Sequence, residues 1–120
     1  MKNKKITMFS EKRYELEELR NDIVEETNRR PLMSIEFRNE IYRNHGNVKM
    51  LTLVFDRYSM RIEGYATLIV SFSEHEGNQF VDLVAAGGKE IIFDLGVEKD
   101  FLCWAFNYLL KYGFKEQEIS

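Results

Sequence analysis

Val48-Lys49-Met50-Leu51-Thr52-Leu53-Val54-Phe55-Asp56 and Tyr65-Ala66-Thr67-Leu68-Ile69-Val70-Ser71-Phe72-Ser73 are two proline-free runs dense in residues that favour strands. Leu51, Leu53 and Phe55, then Ala66, Leu68, Val70 and Phe72, take alternate positions, the period of a strand with one face in a core. The pattern continues on both sides. Met33, Ile35 and Phe37 alternate with Ser34, Glu36 and Arg38, and Ile41 keeps the parity, so a strand is predicted from Met33. Arg43-Asn44-His45-Gly46-Asn47 has the composition of a turn and joins that strand to Val48 as a hairpin. Arg57 to Gly64 is expected as a loop and Glu74 to Asn78 as a turn. Gln79 to Ala86 predicts a fourth strand, Gly87-Gly88-Lys89 a tight connection, and Glu90 to Leu95 a short fifth strand.

A helix flanks this meander on each side. Ser10 reads as an N-cap, with Phe9 and Tyr14 as a hydrophobic staple, which starts a helix near Glu11. Leu16, Leu19, Ile23 and Val24 give it a narrow apolar stripe, Arg29 and Arg30 complement its dipole, and Pro31 stops it. Val97 to Tyr112 predicts the second helix, with Gly113 as a left-handed C-terminal cap. Phe101, Trp104, Ala105, Tyr108 and Tyr112 form one stripe, and Leu102, Phe106, Leu109 and Leu110 a second beside it. A helix this apolar needs cover on more than one side, from the sheet and from the first helix, a loop or another copy of the chain.

Two-layer packing of these elements gives an α+β fold: an antiparallel meander of four to five strands, with an N-terminal and a C-terminal helix on one face. Residues 1–120 are expected to form a single domain, in which residues 1–8 are frayed or form a short edge strand. At 120 residues and 14.3 kDa the chain can build one core. A hydrophobic content of 44% with a single proline excludes a disordered tail or a low-complexity linker. The net charge of −3 lacks the attraction to phosphate of a nucleic-acid binder, so no nucleic-acid partner is expected. Cys103 is alone, which excludes an internal disulfide or a cysteine-rich zinc site and leaves it as inert packing on the last helix. No run approaches the ~18 apolar residues of a membrane helix, and the N-terminal apolar stretch is too short for a signal peptide. A cytoplasmic protein without a membrane partner is expected.

Leu51, Leu53, Phe55, Ala66, Leu68, Val70, Phe72, Val81, Leu83, Ala85, Ile91 and Phe93 share the parity that should face the helices. The opposite parity reads Met50, Thr52, Val54, Tyr65, Thr67, Ile69, Ser71, Phe80, Asp82, Val84, Ile92 and Asp94. That second face is neither clean core nor clean surface. An open antiparallel sheet normally turns a polar face outward, so its apolar members point to a partner, a ligand or a second layer.

Three segments together resemble a known family. They are Leu53-Val54-Phe55-Asp56-Arg57-Tyr58-Ser59-Met60-Arg61 closing a meander strand, Ala86-Gly87-Gly88 ahead of a short apolar strand, and an acidic, aromatic helix opening near Glu98 and Phe101. The family comprises short uncharacterised proteins, a domain of unknown function found widely in low-GC Gram-positive bacteria. The resemblance spans most of the chain and includes no catalytic signature. It implies a cytoplasmic α+β protein of unassigned function and carries no active site across.

Candidate chemistry is sparse. Gly87-Gly88-Lys89 fails as a phosphate loop, because Leu83 stands where the first glycine belongs and Glu90 where a magnesium-binding hydroxyl belongs. A three-residue turn centred on Gly88 would set Asp82 opposite Asp94, a repelling pair able to separate two pKa values or bind a hard cation; a two-residue turn would set Asp82 opposite Phe93. His45 and His75 fall in turns at one end of the sheet, about 10 Å apart, too far to share a metal directly. The expectation is an interaction module rather than an enzyme, without cofactor or metal, forming a homodimer or binding another protein. Its contact residues would be Trp104 and Tyr108 on the last helix, or Tyr65, Ile69 and Phe80 on the sheet, with Asp82 and Asp94 beside them. Close packing of both helices would make the helix aromatics plain core instead. The alternative is a small-molecule binder or minor enzyme with a cavity between sheet and last helix, lined by Phe55, Phe72, Phe93 and Phe106.

Overall fold

Alternation in Val48–Asp56 and Tyr65–Ser73 forces neighbouring strands to bury one face together, and the structure shows how far that pairing extends. The computed structural model describes residues 4–29, 34–59, 64–87 and 97–117. In chain order the elements are β1 (Lys4–Ser10), α1 (Leu16–Asn28), β2 (Ile35–His45), β3 (Val48–Ser59), β4 (Gly64–His75), β5 (Asn78–Gly87), α2 (Val97–Leu110) and β6 (Lys115–Glu116). The strands form one antiparallel sheet of six in the order β2-β3-β4-β5-β1-β6. Among the described residues the fold is α+β with two helices, as expected, but the sheet has six strands rather than four to five. The expected strand Glu90–Leu95 and the Gly88-centred turn lie outside the described residues.

Of the two expectations for the N-terminus, Lys4–Ser10 forms the strand, though held between β5 and β6 rather than at an edge. Ile6 and Met8 alternate inward while Lys5, Thr7 and Phe9 face the other way, and Lys4 to Ser10 pair along β5 from Ala85 to Gln79. A lysine-rich run looks solvated in sequence, yet a strand needs only every second residue to be apolar. The helix start is corrected too. Ser10 closes β1, and its hydroxyl accepts from Lys12 N (3.1 Å) and donates to Lys12 O (2.9 Å), a local turn instead of a cap. Both backbone groups of Tyr14 are held by Gln79, whose Oε1 accepts from Tyr14 N (3.0 Å) and whose Nε2 donates to Tyr14 O (2.5 Å). They are thereby withdrawn from any helical ladder, and α1 starts at Leu16 behind Glu15. At its other end Arg29 is the C-cap, its N–H reaching the Glu26 and Thr27 carbonyls, so no basic residue stands in the last turn. Arg30, Pro31 and Met33 lie outside the described residues.

A bulge overturns the parity of Ile41. Phe37 pairs with Phe55 but Asn39 pairs with Val54, so Arg38 is an inserted residue and every side chain after it changes face. Ile41 therefore stands opposite Thr52 on the outer face, and Glu40 opposite Leu53 on the inner one. Nothing in alternation alone reveals an inserted residue.

The inner face carries the core. Leu51, Leu53, Phe55, Ala66, Leu68, Val70, Phe72, Val81, Leu83 and Ala85 are all buried; Ile91 and Phe93 lie outside the described residues. α2 packs on β4, β5 and β1, while α1 lies against β2. α2 ends two residues earlier than expected, at Leu110, and Gly113 (φ 89°) adopts the left-handed conformation predicted for it. Phe114 N bonds Leu109 O (3.3 Å) and Gly113 N bonds Leu110 O (3.0 Å), a Schellman motif that swings Phe114 into the core ahead of β6.

The β4–β5 turn contains one mismatch. Glu76 (φ 53°) and Gly77 (φ 83°) are both left-handed, as a type I′ turn requires, which suits glycine and strains glutamate. Glu76→Asn is expected to stabilise the fold by about 0.5–1 kcal/mol and Gly77→Ala to destabilise it by about 1–2 kcal/mol. Urea midpoints at unchanged m-value are the measurement; a lower midpoint for Glu76→Asn contradicts this account.

Candidate functional site

Directly paired residues share a face, so the strand registers write out the outer surface row by row. His45, Val48 and His75 form a row at the hairpin end. Arg43, Met50, Ser73, Phe80 and Phe9 come next, with Lys115 of β6 beyond them. Ile41, Thr52, Ser71, Asp82 and Thr7 follow, then Asn39, Val54, Ile69, Val84 and Lys5. Glu36, Asp56, Thr67 and Ala86 make a further row, and Tyr58 pairs with Tyr65 at the far end. Apolar rows thus alternate with polar ones.

The polar rows satisfy themselves. Thr52 and Ser71 hydroxyls lie 3.0 Å apart, and Thr7 Oγ1 donates to Asp82 Oδ1 at 2.6 Å. Asp56 accepts from Arg38 Nε (3.0 Å) and Thr67 Oγ1 (2.9 Å), and Arg38 also reaches Glu36 (3.1 Å). Arg38 stands 5.7 Å from the Tyr65 ring centre, and Tyr65 meets Tyr58 edge to face at 5.4 Å. The apolar side chains of this face have no such partners. Ile41 is 51% exposed, Tyr65 45%, Met50 42% and Ile69 36%.

On the inner side the row nearest the hairpin turns is polar: Asn44, Lys49, Glu74, Gln79 and Ser10. Gln79 is fully buried and donates to Glu74 Oε1 (2.8 Å), while Arg13 Nε donates to Glu74 Oε2 (3.2 Å). Burial by itself would raise the Glu74 pKa. The bonds from Gln79 and Arg13, with the charges of Arg13 and Lys49, outweigh it and hold the carboxyl below the usual carboxylate range. Beside this row a cleft of about 460 Å³ opens between the first turn of α1 and the β2–β3 hairpin, over Leu16, Leu51 and Tyr42. Its main charges are engaged. Arg20 donates to Glu40 through Nε (3.0 Å) and Nη2 (2.9 Å), and Glu74 is held as above. Between sheet and α2, where the alternative reading places a cavity, the described residues pack closely: Phe55 and Phe72 are sealed and Phe106 is half-buried, while Phe93 lies outside the described residues.

The helix aromatics meet their own chain. Trp104 is 9% exposed, stacks on Tyr108 at 6.2 Å and meets Phe55 edge to face at 6.5 Å; its Nε1 has no hydrogen-bond partner among the described residues. Tyr108 is half-buried and lies 3.1 Å, hydroxyl to hydroxyl, from Tyr112, which donates to Asp22 of α1 at 2.6 Å. Tyr14 donates to the Tyr112 carbonyl and packs on the Tyr112 ring. Burial first, then the bonds to Asp22 and Tyr108, push the Tyr112 pKa far above its ordinary value. Through Tyr14 and Asp22 the β1–α1 loop and α1 thus meet Tyr112, at the C-terminal end of the apolar arc, while Leu110 stays 44% exposed.

Of the sequence-derived candidates, Tyr65, Phe80 and Asp82 share the outer face, whereas Trp104 and Tyr108 lie on the opposite side of the sheet. Asp94 lies outside the described residues, so its pairing with Asp82 is not seen. His45 and His75 flank Val48, two strand spacings apart, and no group of three His, Cys, Asp or Glu converges among the described residues. Cys103 is exposed, contrary to its reading as packing. Sequence reasoning missed Ile41, Tyr58, Phe9 and Thr7 on the outer face. Continued alternation through Arg57 was the available signal for Tyr58, and alternation in Lys4–Ser10 the signal for β1.

Fold and surface together define a small α+β protein with one packed and one open sheet face. No described helix is long and apolar enough to cross a membrane. Residues 5–112 match the model of a family of unknown function, DUF6054, and the chain belongs to that family. No curated protein matches it.

Two outcomes follow from the inner side. Glu74 stabilises the fold above the ordinary carboxylate range, and that contribution is lost as pH falls through and below it. The urea midpoint should therefore drop between about pH 5 and pH 2, with a shallower drop in Glu74→Gln; equal slopes would show that Glu74 is not the group responsible. Trp104 should emit as a buried indole and resist acrylamide quenching. Emission typical of a water-exposed indole would put it on the surface.

Proposed function

We propose that this protein is a non-enzymatic interaction module that works through the outer face of its sheet. One observation carries the reading. Among the described residues eight large hydrophobics are exposed, and six of them, Ile41, Val48, Met50, Tyr58, Tyr65 and Ile69, fall on that face by register. Both helices pack on the other face. Exposed apolar rows separated by internally bonded polar rows make a contact surface with aromatic anchors and satisfied polar groups. The cleft beside α1 supports a ligand less well, since its arginine and two of its carboxylates already hold one another or their neighbours. A reducing compartment suits the exposed thiol of Cys103, and cytoplasmic location is part of the proposal.

Gel filtration of an extract of the native host tests it. The protein should elute above its 14.3 kDa monomer mass, and Ile69→Arg or Met50→Lys should return it to monomer mass with the circular dichroism melt unchanged. Wild type at monomer mass in the extract, or a larger species indifferent to both substitutions, refutes the proposal.

A further inference from the structure

Resting on that reading of the outer face, we infer that its partner is a second copy of this chain, stacked face to face about a two-fold axis that runs along β4. The area fits. β1 to β5 hold 7 to 12 residues each; five such strands, about 4.8 Å apart with about 3.3 Å per residue, cover roughly 800 Å². That is about what each side of a standard stable interface contributes. Two sheets stacked in this way lie about 10 Å apart with strands within about 30° of each other.

The order of the rows selects the axis. A two-fold along β4 exchanges β3 with β5 and β2 with β1 while keeping each row at its own height. Ile69 then meets the partner's Ile69 on the axis. Val54 faces the partner's Val84, and Met50 faces the partner's Phe80, so each apolar row meets an apolar row. Asp82 comes opposite the partner's Thr52, and Lys5 opposite the partner's Asn39, so no like charges are opposed among these rows. Axes across the strands do worse. One through the hydroxyl row sets Asp82 against the partner's Asp82. One through the Val54–Ile69–Val84 row sets Ile41 against the Glu36–Arg38–Asp56 charges of the other copy. Polar rows that are already bonded within each chain reach such an interface with few hydrogen bonds left to satisfy, which lowers the desolvation cost.

Purified protein in a Cys103→Ser background provides the test, with single cysteines placed by the proposed symmetry. The protein should elute as a dimer. With a short bis-thiol-reactive linker that bridges the ~10 Å between facing strands, Ile69→Cys and the near-isosteric Ser71→Cys should become mostly covalent dimer. Met50→Cys alone should stay near background and Met50→Cys/Phe80→Cys should cross-link. Lys115→Cys, at the far edge with no counterpart, should stay at background. A dimer that cross-links at Lys115 but at neither β4 position overturns the axis. Purified protein that remains monomeric at every concentration overturns the second copy, and in that case a larger outer-face-dependent species in the host extract still upholds the contact surface with a different protein on it.

Discussion

The inner rows Leu53–Val70–Leu83 and Phe55–Leu68–Ala85 are fully sealed, while the rows one residue along each strand, Val54–Ile69–Val84 and Asp56–Thr67–Ala86, have neither helix above them. Strand geometry makes these one fact. Successive side chains point to opposite faces, so committing both helices to one face fixes what the other face must show. The core, the exposed rows and the proposed contact surface all follow from that single-sided cover. Each well-buried aliphatic or aromatic side chain contributes about 1.5–3 kcal/mol relative to exposure, which holds the register firmly.

Cover on the inner face is placed by polar contacts as much as by apolar ones. Gln79, buried in β5, grips both backbone groups of Tyr14 and one oxygen of Glu74, and so fixes where β1 releases the chain and α1 can begin. Tyr14 in turn braces Tyr112, and Tyr112 reaches back to Asp22 on α1. Removing one member of such a buried network leaves its neighbours unsatisfied, a larger cost than the bond itself. This network ties the end of the α2 segment to α1 and to the β1–α1 loop, on the side of the sheet away from the open rows.

The outer face combines two properties usually found apart. Its apolar rows are exposed, yet its polar rows are bonded internally through Thr7–Asp82, Thr52–Ser71 and the Arg38–Asp56–Thr67 group. A surface of that kind loses little when water leaves it. The Arg38 bulge matters here, because it brings Ile41 to the outer face and sends Glu40 inward to Arg20. One inserted residue therefore extends the apolar surface to the edge strand and ties that strand to α1.

Alternation in the Val48–Phe55, Tyr65–Ser73 and Val81–Ala85 stretches was enough to name the inner face, and the sequence of the last helix was enough to require two-sided cover and a glycine cap at Gly113. These are periodic, local properties, and local sterics decide them. Three things were not legible. The Arg38 insertion leaves no mark on the pattern, the Tyr14–Gln79 clamp joins residues far apart in the chain, and β6 and the place of β1 between β5 and β6 depend on partners that propensity does not specify. Nor does Phe101 to Tyr112 itself say what covers its second side. The residues alone determined which side chains had to be hidden; only the tertiary structure decided what hides them, because strand order and long-range hydrogen bonds are set by the whole chain closing on itself.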